Sequence, residues 1–393
     1  MTGKVRVFKF GGSSVASQAH MTSIVDHIDV DQGPLVVVLS AMGNTTNELF
    51  QQAKIKKIED PQVLDAWVTQ GELASVKTFK KVLDRAGLNC LSLDAFELPI
   101  QTNATFGAAL IESINPQPIM EAFKKVQIVL VPGYQGVYQG HRMALGRGGS
   151  DLSAVALSIS LGADRCDIFT DVPGVMTTDP KLVPQARRLD HIDFDAMIAL
   201  AYAGATVLQP RSVILAKRYH MPMYVRPAKS FDAGTYVGKE VGMENSIISG
   251  IALSKDLTWV RVVCKASTSD QLERCIRTSH ANILNITHQK DNLSIDCLVG
   301  SGGTKQFLSN LKSNSLGGDV SHQRASQVSI IGTGLSIAKD IFFKSQQVLI
   351  DHKVSIYATY CIDSQITFVV SENAGAESVR YLHDLFNLEK EPN

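Results

Sequence analysis

The chain has 393 residues, 45% of them hydrophobic, with 38 basic and 38 acidic side chains. That is room for two or three domains, with no net field to draw nucleic acid or anionic lipid. No apolar run is long enough to cross a bilayer, and Lys4 and Arg6 lead straight into a glycine turn without a signal-peptide core, so a cytoplasmic location is expected. The six cysteines (Cys90, Cys166, Cys264, Cys275, Cys297, Cys361) form no C-x-x-C pair, which speaks against a disulfide framework or a zinc site.

Val5 to Ser14 reads as a strand breaking into a helix. Val5, Val7, Phe8 and Phe10 favour extended chain, Gly11-Gly12 removes two side chains, and Ser13 or Ser14 caps the next helix. Bare amides at a helix start beside the Lys9 cation make an anion cradle; the plainer alternative is a tight turn that needs glycine only for packing. Ala19 to Ile28 comes next as a helix. Leu35 to Leu39 is a branched run suited to a strand buried on both faces of a parallel sheet, and it ends in the small polar segment Ser40 to Thr46. Ligands of open α/β sheets bind beyond the carboxyl ends of strands, so two such ends point to one rim. Residues 48 to 86 read as helical. Within them Gly71-Glu72 lies among Trp67, Val68, Leu73 and Val76, so Glu72 is expected to be partly buried and to need a cationic partner.

Cys90 to Leu93 and Gln127 to Val131 read as strands, the second stopped by Pro132-Gly133-Tyr134-Gln135-Gly136. In Leu145-Gly146-Arg147-Gly148-Gly149-Ser150-Asp151 the glycines permit close backbone approach, Ser150 or Asp151 can cap the helix from Leu152 to Leu161, and Arg147 offers a fork for a carboxylate or phosphate. A strand at Arg165 to Thr170 enters the turn-rich loop Asp171 to Pro180, and Gly204 to Ser212 with the strand Met223 to Arg226 closes the first domain. Residues 228 to 248 read as a short connector. Beyond it lie two similar halves: strand Leu257 to Cys264, helix Asp270 to Ser279, strands Ala281 to His288 and Leu293 to Val299, then strand Val328 to Ile331, helix Ile337 to Ile350, strands Val354 to Ala358 and Gln365 to Val370, and helix Ala376 to Phe386. Two βαββα units without clustered catalytic residues suit a regulatory or dimerising module, which leaves the chemistry to the first domain.

Together, Lys9-Phe10-Gly11-Gly12-Ser13-Ser14, Gly71-Glu72 with Ser75, Gly146 to Asp151 and Thr170-Asp171-Val172-Pro173-Gly174-Val175 resemble aspartate kinase, over nearly the whole chain. The resemblance implies an α/β fold: an amino-acid-kinase-like open, mainly parallel sheet sandwiched by helices over residues 1–245, then ACT-like α+β units at 250–325 and 326–393. It implies transfer of the γ-phosphoryl group of ATP, with Mg²⁺, to the β-carboxylate of L-aspartate, giving 4-phospho-L-aspartate. The absence of a P-loop motif agrees with that family.

By the same resemblance Lys9 stabilises the moving phosphoryl group and Asp151 orients Lys9. Gly11 and Gly12 present amides to the phosphates, and Ser13 is a further ATP-binding residue. Glu72 holds the substrate ammonium and Arg147 its α-carboxylate, with Ser40, Thr45 and Ser150 nearby. Thr170, Asp171, Met176, Asp179 and Lys181 line the nucleotide site, and no protein metal ligand is implied. An amino-acid effector at the ACT-like units and a homo-oligomer, a dimer or larger, are further implications. The chain departs from the family at Thr206 and Gln209, where relatives carry lysine and histidine, at Met176 and Lys181, and in lacking Pro-Gly after the first strand of each ACT-like half, which predicts weak feedback by lysine or threonine. A kinase with another carboxylate acceptor and a decayed amino-acid sensor are the competing readings.

Overall fold

The computed structural model describes residues 4–239, 247–279, 281–314, 316 and 319–390. The chain folds as two units. The first runs through Val175 and takes in Arg188–Ile198 and the segment from Thr206; the second comprises Met176–Arg187, Ala199–Ala205 and the C-terminal part.

In chain order the elements up to residue 238 are β1 (Arg6–Phe10), α1 (Gln18–Val25), β2 (Leu35–Leu39), α2 (Thr45–Ile55), α3 (Pro61–Val68), α4 (Gln70–Arg85), β3 (Cys90–Ser92), β4 (Ile100–Thr102), β5 (Ile111–Ile114), α5 (Gln117–Ala122), β6 (Ile128–Pro132), β7 (Gln135–Tyr138), β8 (His141–Ala144), α6 (Gly149–Ser160), β9 (Cys166–Thr170), β10 (His191–Asp193), α7 (Phe194–Tyr202), α8 (Pro210–Tyr219), β11 (Met223–Pro227) and β12 (Thr235–Gly238). The main sheet has the order β10-β12-β11-β9-β1-β2-β6-β3, parallel throughout except for the β11/β12 pair. The branched run of β2 is buried along its whole length at the centre, as its composition requires. Period-two alternation sorts β1: Phe8 and Phe10 enter a core with Met21 and Ile24 of α1 and Val76, Phe79 and Leu83 of α4, so Lys9 faces the other way, where α6 packs on β1. A second, four-stranded sheet, β5-β4-β7-β8, has no counterpart in the sequence reading.

Four expectations need correction. The helix after the glycine turn is capped by Ser17, whose hydroxyl accepts the His20 N–H, because residues 12 to 17 first complete turns; neither Ser13 nor Ser14 caps it. Likewise Ser150 and Asp151 sit inside the first turn of α6, and the cap position is Gly148 in the left-handed region. The helical stretch 48 to 86 is three helices, divided after Ile55 and at Thr69. The supposed connector contains β12, a strand of the main sheet hydrogen-bonded to both β10 and β11; residues 240–246 of it lie outside the described residues.

The second unit is built on β13 (Ile248–Lys265), α9 (Ser269–Thr278), β14 (Asn282–Gln289), β15 (Asn292–Gly300), α10 (Ser301–Ser313), β16 (Val320–Gly332), α11 (Lys339–Asp351), β17 (Ile356–Ile362), β18 (Gln365–Ser371) and α12 (Gly375–Leu385). The βαββα order repeats, and the halves share one antiparallel sheet, β14-β15-β13-β16-β18-β17. The long β13 joins them, pairing β15 with its carboxyl half and β16 along most of its length. Each half keeps its own core, one around Phe307 and Leu311, the other around Phe368 and Leu382. No helix among the described residues is long and apolar enough to cross a membrane.

Candidate active site

Parallel register brings four strand ends together. Phe10 lies beside Leu39 and Phe169, and Leu39 beside Pro132, so the carboxyl ends of β9, β1, β2 and β6 form one rim. The chain leaves that rim through the glycine turn after β1, the Ser40 to Asn44 segment after β2 and Gly133-Tyr134 after β6.

Lys9 and Asp151 meet beneath the rim. Lys9 Nζ lies 2.5 Å from Asp151 Oδ1, and both side chains are nearly buried. The contact is an ion pair not aligned as a hydrogen bond. Asp151 lies in the first turn of α6, where the helix dipole favours its negative charge. Above the pair the turn is shaped by close approach: a Cβ at Gly12 would stand 2.8 Å from the Ala41 carbonyl oxygen, and at Gly11 one would stand 3.6 Å from Lys9 Nζ. The Gly11 N–H is already given to the Phe169 carbonyl at 3.0 Å, so the expectation that it faces a phosphate is corrected. That amide is drawn into the β1/β9 ladder, which motif reading cannot see. Gly12, Ser13 and Ser14 keep N–H groups with no partner among the described residues, and the Ser14 hydroxyl is buried and unpartnered. Three consecutive free amides beside a lysine form an anion nest.

Glu72 supplies a buried acidic group. It is only 3% exposed, in the first turn of α4, with Oε1 accepting the Ala41 N–H at 3.3 Å and Oε2 without a partner. Desolvation pushes its carboxyl up to about 8, against the pull of that backbone hydrogen bond. Gly71 makes the arrangement possible, since a Cβ there would lie 2.7 Å from Ala41 Cβ. The expected cationic partner is absent among the described residues, leaving a buried acceptor aimed at nothing in the chain. Thr45 packs close to Gly71 and donates its hydroxyl to the Met42 carbonyl at 2.6 Å, and Ser40 is half-buried at the end of β2. Ser150 is buried against Gly133, where a Cβ would come within 2.7 Å of its side chain.

Arg147 stands exposed on the loop from β8 to α6, with no hydrogen-bond or ion-pair partner among the described residues. Tyr134, which sequence reasoning did not single out, lies close to both ends of this arrangement. Burial, with the Glu72 and Asp65 charges, raises its phenol, and Arg147 acts in the opposite sense. Its signal was the turn after Pro132, where it takes a positive φ of 68°.

The expected nucleotide residues are not gathered in one unit. Thr170 ends β9 and Asp171 follows it in the first unit, where the Thr170 hydroxyl donates to Asp171 Oδ1 at 3.1 Å. Met176, Asp179 and Lys181 belong to the second, where Asp179 accepts the Lys181 N–H and so closes a turn. Gln209, the departure at the start of α8, packs its side chain over Gly148, and Thr206 is exposed.

The sequence profile of the amino acid kinase family matches residues 4–227. Aspartokinase 2 of Bacillus subtilis strain 168 is 33% identical over 98% of both chains, and an aspartokinase of Geobacillus stearothermophilus is 35% identical over 98% of both. A crystal structure of E. coli aspartokinase III in complex with aspartate and ADP matches with a TM-score of 0.78 at 25% identity, covering 98% of this chain and 100% of that one. The chain belongs to the amino acid kinase family, and within it to the aspartokinases.

Proposed function

We propose that the protein is an ATP-dependent aspartate kinase, transferring the γ-phosphoryl group to the β-carboxylate of L-aspartate and releasing 4-phospho-L-aspartate and ADP, the first step toward lysine, threonine, methionine and diaminopimelate. The observation that carries this reading is Glu72: a buried carboxylate with an unpaired oxygen, on the rim that also carries the Lys9–Asp151 pair. An α-ammonium answers it, and an N-acylated acceptor does not.

Phosphoryl transfer needs two anions aligned and their charge cancelled, with little covalent work from the protein. In this reading the amides of Gly12, Ser13 and Ser14 hold phosphate oxygens, and Lys9, kept in place by Asp151, meets the charge of the transferring group. Glu72 takes the ammonium and gives up its proton, Arg147 takes the α-carboxylate, and Ser40, Thr45 and Ser150 line the acceptor pocket. The β-carboxylate is then left toward Lys9. Thr170, Asp171, Met176, Asp179 and Lys181 are the proposed nucleotide contacts. Mg²⁺ fits a site of this kind. The described residues offer no cluster of three acidic, histidine or cysteine side chains, and magnesium commonly keeps its waters and binds through nucleotide phosphates. It would supply further cancellation of phosphate charge.

The domain reading is a catalytic domain at 1–245 followed by ACT-like units at 250–325 and 326–393, which we propose assemble cytoplasmic homo-oligomers and carry any amino-acid effector. A second crystal structure of E. coli aspartokinase III, at 25% identity and TM-score 0.76, is a complex with lysine and aspartate in a T-state, which supports an amino-acid effector for this chain. The test of function is ADP release over a panel of amino acids and N-acetyl amino acids. Turnover confined to L-aspartate is expected; turnover with an N-acetylated acceptor, or with none, overturns the proposal.

A further inference from the structure

Two charged side chains outside the proposed chemistry grip the backbone from which Arg147 projects. Asp65, on α3, is 2% exposed and accepts two backbone N–H groups: Gly107 at 3.0 Å to each carboxylate oxygen, and Ala144 at 2.8 Å. Arg211, half-buried on α8, donates to two backbone carbonyls, Leu145 at 2.5 Å and Ala109 at 2.9 Å. The same two short segments, 107–109 and 144–145, are thus held by a carboxylate at their amides and a guanidinium at their carbonyls. They also hold each other through Ala109 N–H to Ala144 O at 3.0 Å. Gly146, with φ of 80°, sits so close that a Cβ would stand 3.1 Å from the Gly107 oxygen.

We infer that Asp65 and Arg211 are positioning residues for acceptor recognition, fixing the base of the loop that aims Arg147. This rests on the reading of Arg147 as the group that binds the acceptor α-carboxylate. Arg147 makes no hydrogen bond or ion pair among the described residues, so its direction is inherited from the loop, whose carboxyl side is held by α6 through the Gly146 and Gly148 carbonyls and whose amino side is held at Ala144 and Leu145. Irregular backbone of this kind must find partners for its buried polar groups, and water or a neutral side chain would serve that need. Two full charges of opposite sign instead hold four backbone groups, with forked geometry at each end. Neither is interchangeable with its nearest relative. An asparagine offers one acceptor oxygen and turns an N–H₂ toward an N–H donor, and a lysine reaches one carbonyl where the guanidinium spans two.

The test uses Arg211→Lys and Asp65→Asn in the full chain, with the acceptor selected by the amino-acid panel. The expected result is a rise in acceptor KM of about tenfold to hundredfold, as small misplacements of a binding group produce, with the ATP KM moved by less than about twofold. Added to Arg147→Ala, either substitution should raise the acceptor KM no further, because the residue it positions is gone. Equal rises in both KM values, or additivity with Arg147→Ala, would overturn the inference. If Asp65→Asn fails to fold, Arg211→Lys decides alone. Amide exchange over residues 142–149 separates the two proposals. Faster exchange at Ala144 and Leu145 in the variants is expected whatever the acceptor proves to be, and unchanged exchange overturns the clamp. A wild-type chain that phosphorylates no free amino acid, with the clamp intact by exchange, would instead sink the proposed function.

Discussion

Glu72→Gln should make the free protein more stable while making it a worse enzyme, by an amount set by pH. The folded carboxyl titrates at about 8 against an ordinary 4.5, because burial disfavours its charge. Below pH 4.5 the group is protonated folded and unfolded, and contributes nothing to pH dependence. Between there and about 8 the unfolded chain has released a proton that the folded one retains, so stability falls as pH rises, and it levels off above about 8. At about 1.4 kcal/mol per pH unit, the whole span from 4.5 to about 8 costs roughly 5 kcal/mol, and roughly 3 kcal/mol is already lost near pH 7. Glutamine keeps the oxygen that accepts the Ala41 N–H and does not titrate. Urea melts of both proteins from pH 5 to 9 therefore give a stability difference that grows in favour of Glu72→Gln. A difference that stays constant with pH would refute the raised titration of Glu72. The same variant should raise the KM for aspartate, and wild-type aspartate binding below about pH 8 should release a proton, measurable by calorimetry in buffers of different ionisation enthalpy.

Lys9→Ala should lower kcat by about a hundredfold or more with little change in ATP binding, since its charge acts mainly in the transition state. It also strands Asp151, so a stability loss of roughly 3 to 5 kcal/mol is expected, and kinetics should be run well below its melting point. Arg147→Ala should raise the KM for aspartate about 5- to 150-fold, on the order of 1 to 3 kcal/mol of binding, and leave the KM for ATP unchanged; equal losses would mean that the acceptor end is misplaced. Gly12→Ala should abolish activity and destabilise by about 1 to 3 kcal/mol in thermal melts, because the new methyl meets the Ala41 carbonyl at 2.8 Å. Lysine and threonine should inhibit by less than about fivefold at subsaturating aspartate, and stronger inhibition would show that the loops after β13 and β16 bind an effector without Pro-Gly.

The features legible in the sequence are those that a short stretch of residues determines by itself. The buried run of β2, the glycine turn beside Lys9 and the apolar neighbours of Glu72 each announce their environment within about ten residues. The four short strands of the second sheet carry too few alternations to stand out, and β12 hides in a polar stretch because only its pairing with β10 and β11 makes it a strand. Helix α10 escapes sequence reading because Gly302 and Gly303 interrupt its first turn. The occupied amide of Gly11 depends on the β1/β9 register. Asp65 and Arg211 are invisible for a related reason. Each is a charge on a helix with no motif around it, and its meaning comes from backbone 42 or more residues distant along the chain.

Delivery of a phosphoryl group to the β-carboxylate of an amino acid leaves an acyl phosphate, which hydroxylamine converts to a hydroxamate at the same carbon. Running the reaction with ATP, L-aspartate and hydroxylamine, then identifying the trapped hydroxamate by NMR, tests that delivery most directly. Aspartate β-hydroxamate is predicted in amounts matching the ADP released, and none from Lys9→Ala. An α-hydroxamate, or ADP released without any hydroxamate, would contradict it.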